Sequence, residues 1–171
     1  MATGQVLVTV GTTKFDLFIS TVCSAEVSRI LKRRGYKKLL LQIGNGNIPE
    51  VECIEGMDVE YFRFKDSIIQ DIQDSSLVLS HAGAGSCLEV LGAKKPLVVV
   101  VNEMLMNNHQ IELAKQLFTK EHAYYCTCSE LKETLVHMNV NSLKPFPSGK
   151  PENFANFLNE IFGFNDTFGI S

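Results

Sequence analysis

The chain has 171 residues, 45% of them hydrophobic, and a formal net charge of −3. Its length fits one domain that buries about 70% of its unfolded surface. The negative balance and the absence of a basic block argue against nucleic acid as the main partner. No apolar run approaches the roughly 18–20 residues of a membrane span, and no signal-peptide pattern opens the chain. We therefore expect a soluble, cytosolic protein unless something tethers it.

Short apolar runs alternate with amphipathic stretches along the whole chain. The apolar runs predict six β-strands, at 5–10, 38–43, 59–64, 77–79, 97–101 and 123–126. Helical periodicity lies between and after them, at 17–34, 67–74, 86–92, 109–118 and 131–138. A proline-held connection at 144–149 precedes a final helix that begins at Glu152. This alternation predicts an α/β fold with one parallel, doubly wound sheet.

The most informative stretch is Ser80–Glu89, which reads SHAGAGSCLE and connects a strand to a helix. Gly83 and Gly85 allow a tight turn and let a ligand approach the main chain. The helix that follows directs its unpaired N–H groups and positive dipole end at the turn, which favours a phosphate. Glu89 lies on the second helical turn, where its carboxylate can accept hydrogen bonds from a ribose diol. The combination predicts a nucleotide site, although a glycine turn also serves close packing.

Polar segments follow three other strands and meet the same edge of the predicted sheet. Residues 102–110 carry amide and imidazole side chains, which suit sugar hydroxyls better than a phosphate or a metal. The turn at 11–13 can hold a phosphate, or it can serve only as a turn and helix N-cap. The backbone at residues 64–65 is placed to meet a base edge. No cofactor is expected.

The cysteines and two histidines indicate no metal centre. Five cysteines without framework spacing predict reduced thiols. Cys126 and Cys128 resemble half of a zinc site, but no second close pair or histidine pair accompanies them, which favours structural thiols. His122 and His137 are expected to be structural or surface residues.

Three segments together carry a family resemblance, namely VGTTKFD at 10–16, SHAGAGS at 80–86 and LMNNHQ at 105–110. They resemble the catalytic subunit family of the eukaryotic UDP-N-acetylglucosamine transferase, and the resemblance covers nearly the whole chain. That family is similar to the C-terminal half of the bacterial transferase that makes the lipid-linked peptidoglycan disaccharide. The implied fold is a single Rossmann-like doubly wound parallel sheet, equivalent to the donor-binding domain of a B-fold glycosyltransferase.

The resemblance also assigns the donor contacts. The diphosphate would lie over two turns, formed by Gly11, Thr12 and Thr13 and by His81, Ala82, Gly83, Ala84, Gly85 and Ser86. Glu89 would take the ribose hydroxyls and the backbone at Phe64 and Lys65 the uracil. Three residues, Asn108, His109 and Gln110, would face the hexose.

The implied reaction adds a second N-acetylglucosamine to N-acetylglucosaminyl-diphosphodolichol, with inversion and without a metal. His109 and His81 are candidate bases by chemistry alone, but the base is unassigned because the resemblance implies that the other domain supplies it. That domain would belong to a membrane-anchored subunit at the cytosolic face of the endoplasmic reticulum. Residues 1–171 would then form one nucleotide-sugar-binding domain, with 151–171 as a helix and tail for partner docking.

The apolar stripe of the final helix is the predicted partner interface. Its members are Phe154, Phe157, Leu158, Ile161 and Phe162. Packing against the chain's own sheet is the alternative for part of this stripe. A nucleotide-binding regulatory module without activity of its own is the alternative for the whole chain. A dinucleotide-dependent oxidoreductase would need a G-x-G-x-x-G turn after the first strand, which the turn at 11–13 lacks.

Overall fold

The computed structural model describes residues 4–51, 55–104, 108–147, 155–157 and 159–160. Its strands are β1 (Gln5–Thr9), β2 (Lys38–Gln42), β3 (Asp58–Phe62), β4 (Leu77–His81), β5 (Leu97–Val101) and β6 (Tyr124–Thr127). Its helices are α1 (Asp16–Val22), α2 (Ala25–Arg33), α3 (Ile69–Gln73), α4 (Ala84–Gly92), α5 (Asn108–Thr119) and α6 (Leu131–His137). A 3₁₀ turn follows at Val140–Ser142.

All six strands pair in parallel, in the order β3-β2-β1-β4-β5-β6. Successive residues of a strand face opposite sides, so Val6 and Val8 enter one core whereas Leu7 enters the other. Helices α1, α2 and α6 cover the first face, and α3, α4 and α5 cover the second. The predicted α/β class and doubly wound parallel sheet are therefore confirmed.

The single helix predicted at 17–34 is two helices in the structure. The apolar periodicity continues across the end of the first helix, so the sequence pattern does not reveal the break. Helix α1 ends at Val22, and α2 begins after Ser24, whose hydroxyl accepts the N–H of Val27 at 3.3 Å. This side-chain cap starts a new helix inside an apparently continuous pattern. Leu17, near the start of α1, is 58% exposed.

The described part of the C-terminal segment packs against the chain itself. Residues 155–157 and 159–160 are helical, and the Phe157 ring contacts the Phe146 ring with centroids 5.2 Å apart. Lys120 Nζ lies 3.1 Å from Glu160 Oε1 and joins this segment to the end of α5. Phe157 is 6% exposed, so the expectation that it faces a partner is corrected: its ring belongs to this chain's core. The other four members of the predicted stripe, Phe154, Leu158, Ile161 and Phe162, lie outside the described residues.

Across the described ranges, no helix combines the length and apolar character needed to cross a membrane.

Candidate functional site

A cleft of about 340 Å³ opens at the carboxyl ends of β1 and β4. The chain proceeds from β1 to β2 and β3 on one side, and β4 returns to the other side of β1, so the strand order reverses here. Open α/β sheets bind ligands at this switch point. The cleft is lined by Gly11, Thr12, Thr13, Gln42, Lys65, Asp66, Ser67, Ile68, His81, Gly83, Gly85, Ser86 and Glu89. Most of the residues predicted for phosphate and ribose are thereby brought together.

The amino end of α4 presents backbone donors to this cleft. Gly83 is its N-cap residue and supplies no side-chain cap, and the first intrahelical bond runs from Cys87 N to Gly83 O. The amides of residues 84–86 therefore lack an intrahelical acceptor. Among the described residues, a Cβ built on Gly85 meets no atom within 4 Å outside the backbone of its own helix, so these residues leave open space beside the amides. Three aligned N–H groups at a positive dipole end form an anion site.

The His81 ring occupies the space that two of the turn glycines leave. A Cβ on Gly83 would lie less than 3.0 Å from His81 Nε2, and a Cβ on Gly11 would lie 2.9 Å from His81 Cε1. These two glycines therefore accommodate the imidazole, and of the three only Gly85 leaves open space for a ligand. The close ligand approach expected at Gly83 and Gly85 stays a prediction: both glycines line the cleft, and the His81 ring fills the space at the Cβ position of Gly83.

Burial lowers the pKa of His81, and a backbone hydrogen bond with Thr9 opposes the shift weakly. The unfolded chain then takes up a proton near the ordinary value of about 6.5, whereas the folded chain does so only at lower pH. We expect the free energy of unfolding to fall as pH decreases below that value, and His81→Gln to reduce the fall. Urea unfolding of both proteins at pH 7.5 and 5.5 measures this, and equal losses in the two proteins would contradict the expectation.

Most hydrogen-bond donors of the turn after β1 bond to acceptors within the chain. Gly11 N donates to Thr9 Oγ1 at 2.9 Å, and Thr13 donates to Val10 O through both its N–H (3.3 Å) and its hydroxyl (2.8 Å). The Thr12 carbonyl accepts from Asn45 Nδ2 at 2.9 Å. Within the described chain, the Thr12 hydroxyl and N–H make no hydrogen bond. Thr12 is thus the residue of this turn whose donors are open to a ligand.

Thr12→Val and Thr13→Val should separate binding from stability. Thr12→Val removes an uncommitted donor, so we expect affinity for uridine diphosphate to fall about tenfold, one charge-assisted hydrogen bond, with unchanged stability. Thr13→Val removes the hydroxyl that supports the turn and should cost about 1 kcal/mol of unfolding free energy. Calorimetric titration and urea unfolding of the pair measure both quantities. Equal effects of the two variants on affinity would overturn this division.

Several residues that were predicted to contact the nucleotide sugar lie at or near the cleft. They differ in how open their side chains are to a ligand. Glu89 lines the cleft and is solvent-exposed on α4. The Lys65 ammonium is held 3.0 Å from both Asp71 oxygens and lies over the Phe62 ring. Ala82 is 2% exposed and packs in the core, so its side chain faces away from the cleft. Phe64 is exposed but does not line the cleft.

The predicted sugar-contacting residues begin α5, and neither His109 nor Gln110 lines the cleft. Asn108, His109 and Gln110 are its first three residues, and His109 is exposed. Because α5 follows β5, which pairs with β4, these residues lie at the same edge of the sheet as the cleft.

Sequence reasoning missed part of the cleft wall, namely Gln42, Asp66, Ser67 and Ile68. Gln42 had a signal: it is a polar residue at the end of the apolar run 39–41. Residues 66–68 had none, because their position depends on how the short connection into α3 folds over the sheet edge.

Cys87, Cys126 and Cys128 are buried free thiols, as expected of structural residues, and Cys23 is also buried. Burial raises the pKa of Cys126 to about 12 and that of Cys128 to about 11, so both remain protonated. Among the residues that the structure describes, no three His, Cys, Asp or Glu side chains are grouped to hold a metal ion.

The sequence that forms this cleft and sheet matches a known family of domains. A family model described as the glycosyltransferase family 28 C-terminal domain matches residues 5–161. The chain belongs to this family of glycosyltransferase domains.

Named relatives narrow the resemblance. A human protein named UDP-N-acetylglucosamine transferase subunit ALG13 is 54% identical over 127 residues, which are 74% of this chain and 11% of that protein. The Saccharomyces cerevisiae protein of the same name is 30% identical over 185 residues, 87% of this chain and 91% of that one. This chain thus spans 11% of the length of the human and mouse relatives and nearly all of the yeast one.

Solved structures share the fold. An NMR solution structure of ALG13 superposes with a TM-score of 0.71 at 28% identity and covers 90% of this chain and 94% of that one. The crystal structure of Acinetobacter baumannii MurG gives a TM-score of 0.63 at 18% identity over 94% of this chain and 50% of that one. The second likeness shows the fold alone, and this chain corresponds to half of that protein.

Proposed function

We propose that this chain is the donor-binding subunit of a transferase that moves N-acetylglucosamine from UDP-N-acetylglucosamine to N-acetylglucosaminyl-diphosphodolichol. One observation carries the proposal: an uncapped helix start and a carboxylate on the same helix line one cleft at the switch point of the sheet. The amides at the helix start can donate hydrogen bonds to a diphosphate, and the carboxylate can accept them from a ribose. Together these groups suit a nucleoside diphosphate. The names of the relatives supply the donor sugar, and the family resemblance supplies the acceptor.

Each part of the donor has a proposed contact. The diphosphate lies over the amides of residues 84–86 and the donors of Thr12. Glu89 accepts the two ribose hydroxyls, and the backbone at Phe64 and Lys65 meets the uracil. His109 and Gln110 hold the hexose, with Asn108 beside them.

The proposed reaction is an inverting displacement without a metal. An acceptor hydroxyl oxygen bonds to the anomeric carbon, the bond from that carbon to the β-phosphate oxygen breaks, and uridine diphosphate leaves. The α4 dipole and amides stabilise the negative charge that develops on the leaving group. The acceptor proton passes to a base that the partner subunit supplies; His109 is the candidate within this chain.

Exposed apolar side chains near the carboxyl ends of the strands support a partner surface. Parallel strands place all their carboxyl ends at one edge. Two exposed large apolar side chains, Leu17 and Ile48, belong to α1 after β1 and to the loop after β2. Leu17 and Ile48 also line a groove of about 510 Å³ between α1 and the loop after β2. Apolar surface rimmed by polar groups is typical of protein interaction sites.

The partner and its location remain part of the proposal. The printed name "subunit" of the relatives fits an assembly. We propose that the partner is membrane-anchored, that the complex works at the cytosolic face of the endoplasmic reticulum membrane, and that residues 151–171 contribute to docking through Phe154, Leu158, Ile161 and Phe162.

Glu89→Gln tests the nucleotide site directly. The amide keeps the shape of the side chain but weakens acceptance of two hydroxyl donors, so we expect a loss of about 1.5–3 kcal/mol in binding of uridine diphosphate. Glu133→Gln makes the same chemical change on α6 and should leave binding unchanged. Isothermal calorimetry measures both.

A comparison of ligands distinguishes the proposed transferase from a dinucleotide-dependent oxidoreductase and from a regulatory module. The wild-type chain should bind UDP-N-acetylglucosamine and uridine diphosphate and should not bind nicotinamide dinucleotides. Failure of the wild type to bind any uridine nucleotide would refute the proposed function. Binding without transfer in the presence of the partner would favour the regulatory module instead.

A further inference from the structure

Two buried polar side chains form a bridge beneath the cleft. Thr9 is 0% and Gln42 is 5% exposed, and they are direct register partners at the carboxyl ends of β1 and β2. The Thr9 hydroxyl donates to Gln42 Oε1 at 2.6 Å and accepts the Gly11 N–H at 2.9 Å. Gln42 Nε2 donates to Arg63 O at 3.5 Å. The bridge therefore runs from the turn after β1, through two side chains, to the residue after β3.

Packing alone does not require polar residues at these positions. The strand residues two positions before them, which face the same side of the sheet, are Leu7 and Leu40, and both are buried apolar side chains. Replacing both partners of a buried hydrogen bond by apolar groups of similar shape can be neutral for stability, whereas removing one partner is costly. The hydrogen-bonded pair therefore fixes the relative positions of the segments that it connects, which an apolar pair would not do.

The two ends of the bridge reach the two halves of the donor site. At one end, the inward Gly11 N–H accompanies a φ of +63° at that residue and fixes the turn that presents Thr12 to the cleft. At the other end, Arg63 directly precedes Phe64 and Lys65, and its guanidinium donates to the carbonyls of Gly44 (2.9 Å) and Gly46 (2.7 Å). The turn at residues 11–13, here called the phosphate turn, and the backbone at residues 64–65, here called the base segment, are thus connected through the floor of the cleft.

The geometry points to Thr9 and Gln42 as positioning residues that set the distance between the phosphate turn and the base segment. This inference rests on the proposed function. A ligand that carries both a base and a diphosphate benefits from that fixed spacing, whereas a ligand with only a base does not. The pair thereby makes the site selective for a nucleoside diphosphate over a nucleoside.

The ratio of the uridine Kd to the uridine diphosphate Kd measures this selectivity. In Thr9→Val, the turn loses the acceptor that fixes it, and we expect the uridine diphosphate Kd to rise about tenfold, the equivalent of one hydrogen bond to a charged group, with little change for uridine. Gln42→Met removes the bridge at its centre and should lower the ratio similarly. Thr9→Ser retains the hydroxyl and should restore the ratio.

Ser75→Ala is the matched control. The Ser75 hydroxyl, on a residue that is 1% exposed, accepts from Gln5 Nε2 at 2.9 Å at the opposite end of β1, so this variant also breaks a glutamine–hydroxyl bond, here a partly buried one. It should lose stability comparable to that of Thr9→Val while keeping the wild-type ratio.

Calorimetry and urea unfolding of the full chain test all five proteins, and the outcomes are distinct. A lowered ratio in Thr9→Val and Gln42→Met, with rescue by Thr9→Ser, supports the positioning role. A wild-type ratio in the two bridge variants, or an equal change in Ser75→Ala, overturns it. Absence of uridine diphosphate binding in the wild type refutes the proposed function rather than this inference.

Discussion

Gly85→Ala is expected to abolish most uridine diphosphate binding while leaving the fold intact or slightly more stable. A Cβ at this position meets no atom of the described residues within 4 Å outside the backbone of its own helix, so the methyl group strains none of these residues in the unliganded protein. Replacing glycine by alanine in a helix stabilises it by about 0.5–1 kcal/mol. The methyl group does, however, occupy the space beside the amides at the start of α4, where the phosphate must approach. Losing two charge-assisted hydrogen bonds weakens binding by about a hundredfold or more.

Gly92→Ala is the matched control for that variant. Gly92 is the last residue of the same helix, and a Cβ there also meets nothing within 4 Å, but Gly92 does not line the cleft. We expect unchanged affinity and a similar or smaller gain in stability. If Gly85→Ala binds uridine diphosphate as well as Gly92→Ala does, the phosphate is not bound at the start of α4.

Gly44→Ala is expected to destabilise the protein strongly. Gly44 has a φ of +55°, and a Cβ there would lie less than 3.0 Å from the Thr13 carbonyl oxygen, which is backbone and cannot move alone. The same loop is fixed to that turn by the bond from Asn45 N to Thr13 O at 3.0 Å. Backbone strain and overpacking each cost about 1–3 kcal/mol, so we expect a loss of about 2–6 kcal/mol in unfolding free energy.

Gly35→Ala separates the two costs. Gly35 also has a positive φ, +96°, but a Cβ there meets nothing within 4 Å, so only backbone strain applies. Urea unfolding should show the smaller loss, about 1–3 kcal/mol, and ligand binding should be retained, since Gly35 follows α2 at the amino edge of the sheet. Equal losses for the two variants would mean that the loop after β2 is not locked onto the phosphate turn.

The strands and the sheet could be predicted because their signals are local. Each strand is a short apolar run, and alternation with helices determines a parallel arrangement. The end of α1 could not be predicted, because Ser24 acts as an N-cap inside a helical pattern that continues on both sides of it. Phe157 was expected at a partner interface, and its packing on Phe146 depends on a contact between distant elements.

The candidate site was predictable in its location but not in its division of roles. The motif at 80–86 identified the cleft, but it could not show which glycine accommodates His81 and which leaves room for a ligand. Thr12 and Thr13 are the same residue type side by side in the sequence, and their donors differ because those of Thr13 bond to the Val10 carbonyl. Gln42 becomes part of the site because β2 pairs beside β1, which is a property of the sheet.

Titration of the isotope-labelled chain with uridine diphosphate, followed by amide NMR shifts, tests the central claim most directly. The account predicts the largest shifts at the amides of Thr12 and of residues 84–86, with smaller shifts at 64–65 and none at the amino ends of the strands. Largest shifts in the groove between α1 and residues 47–50, with the start of α4 unchanged, would contradict it.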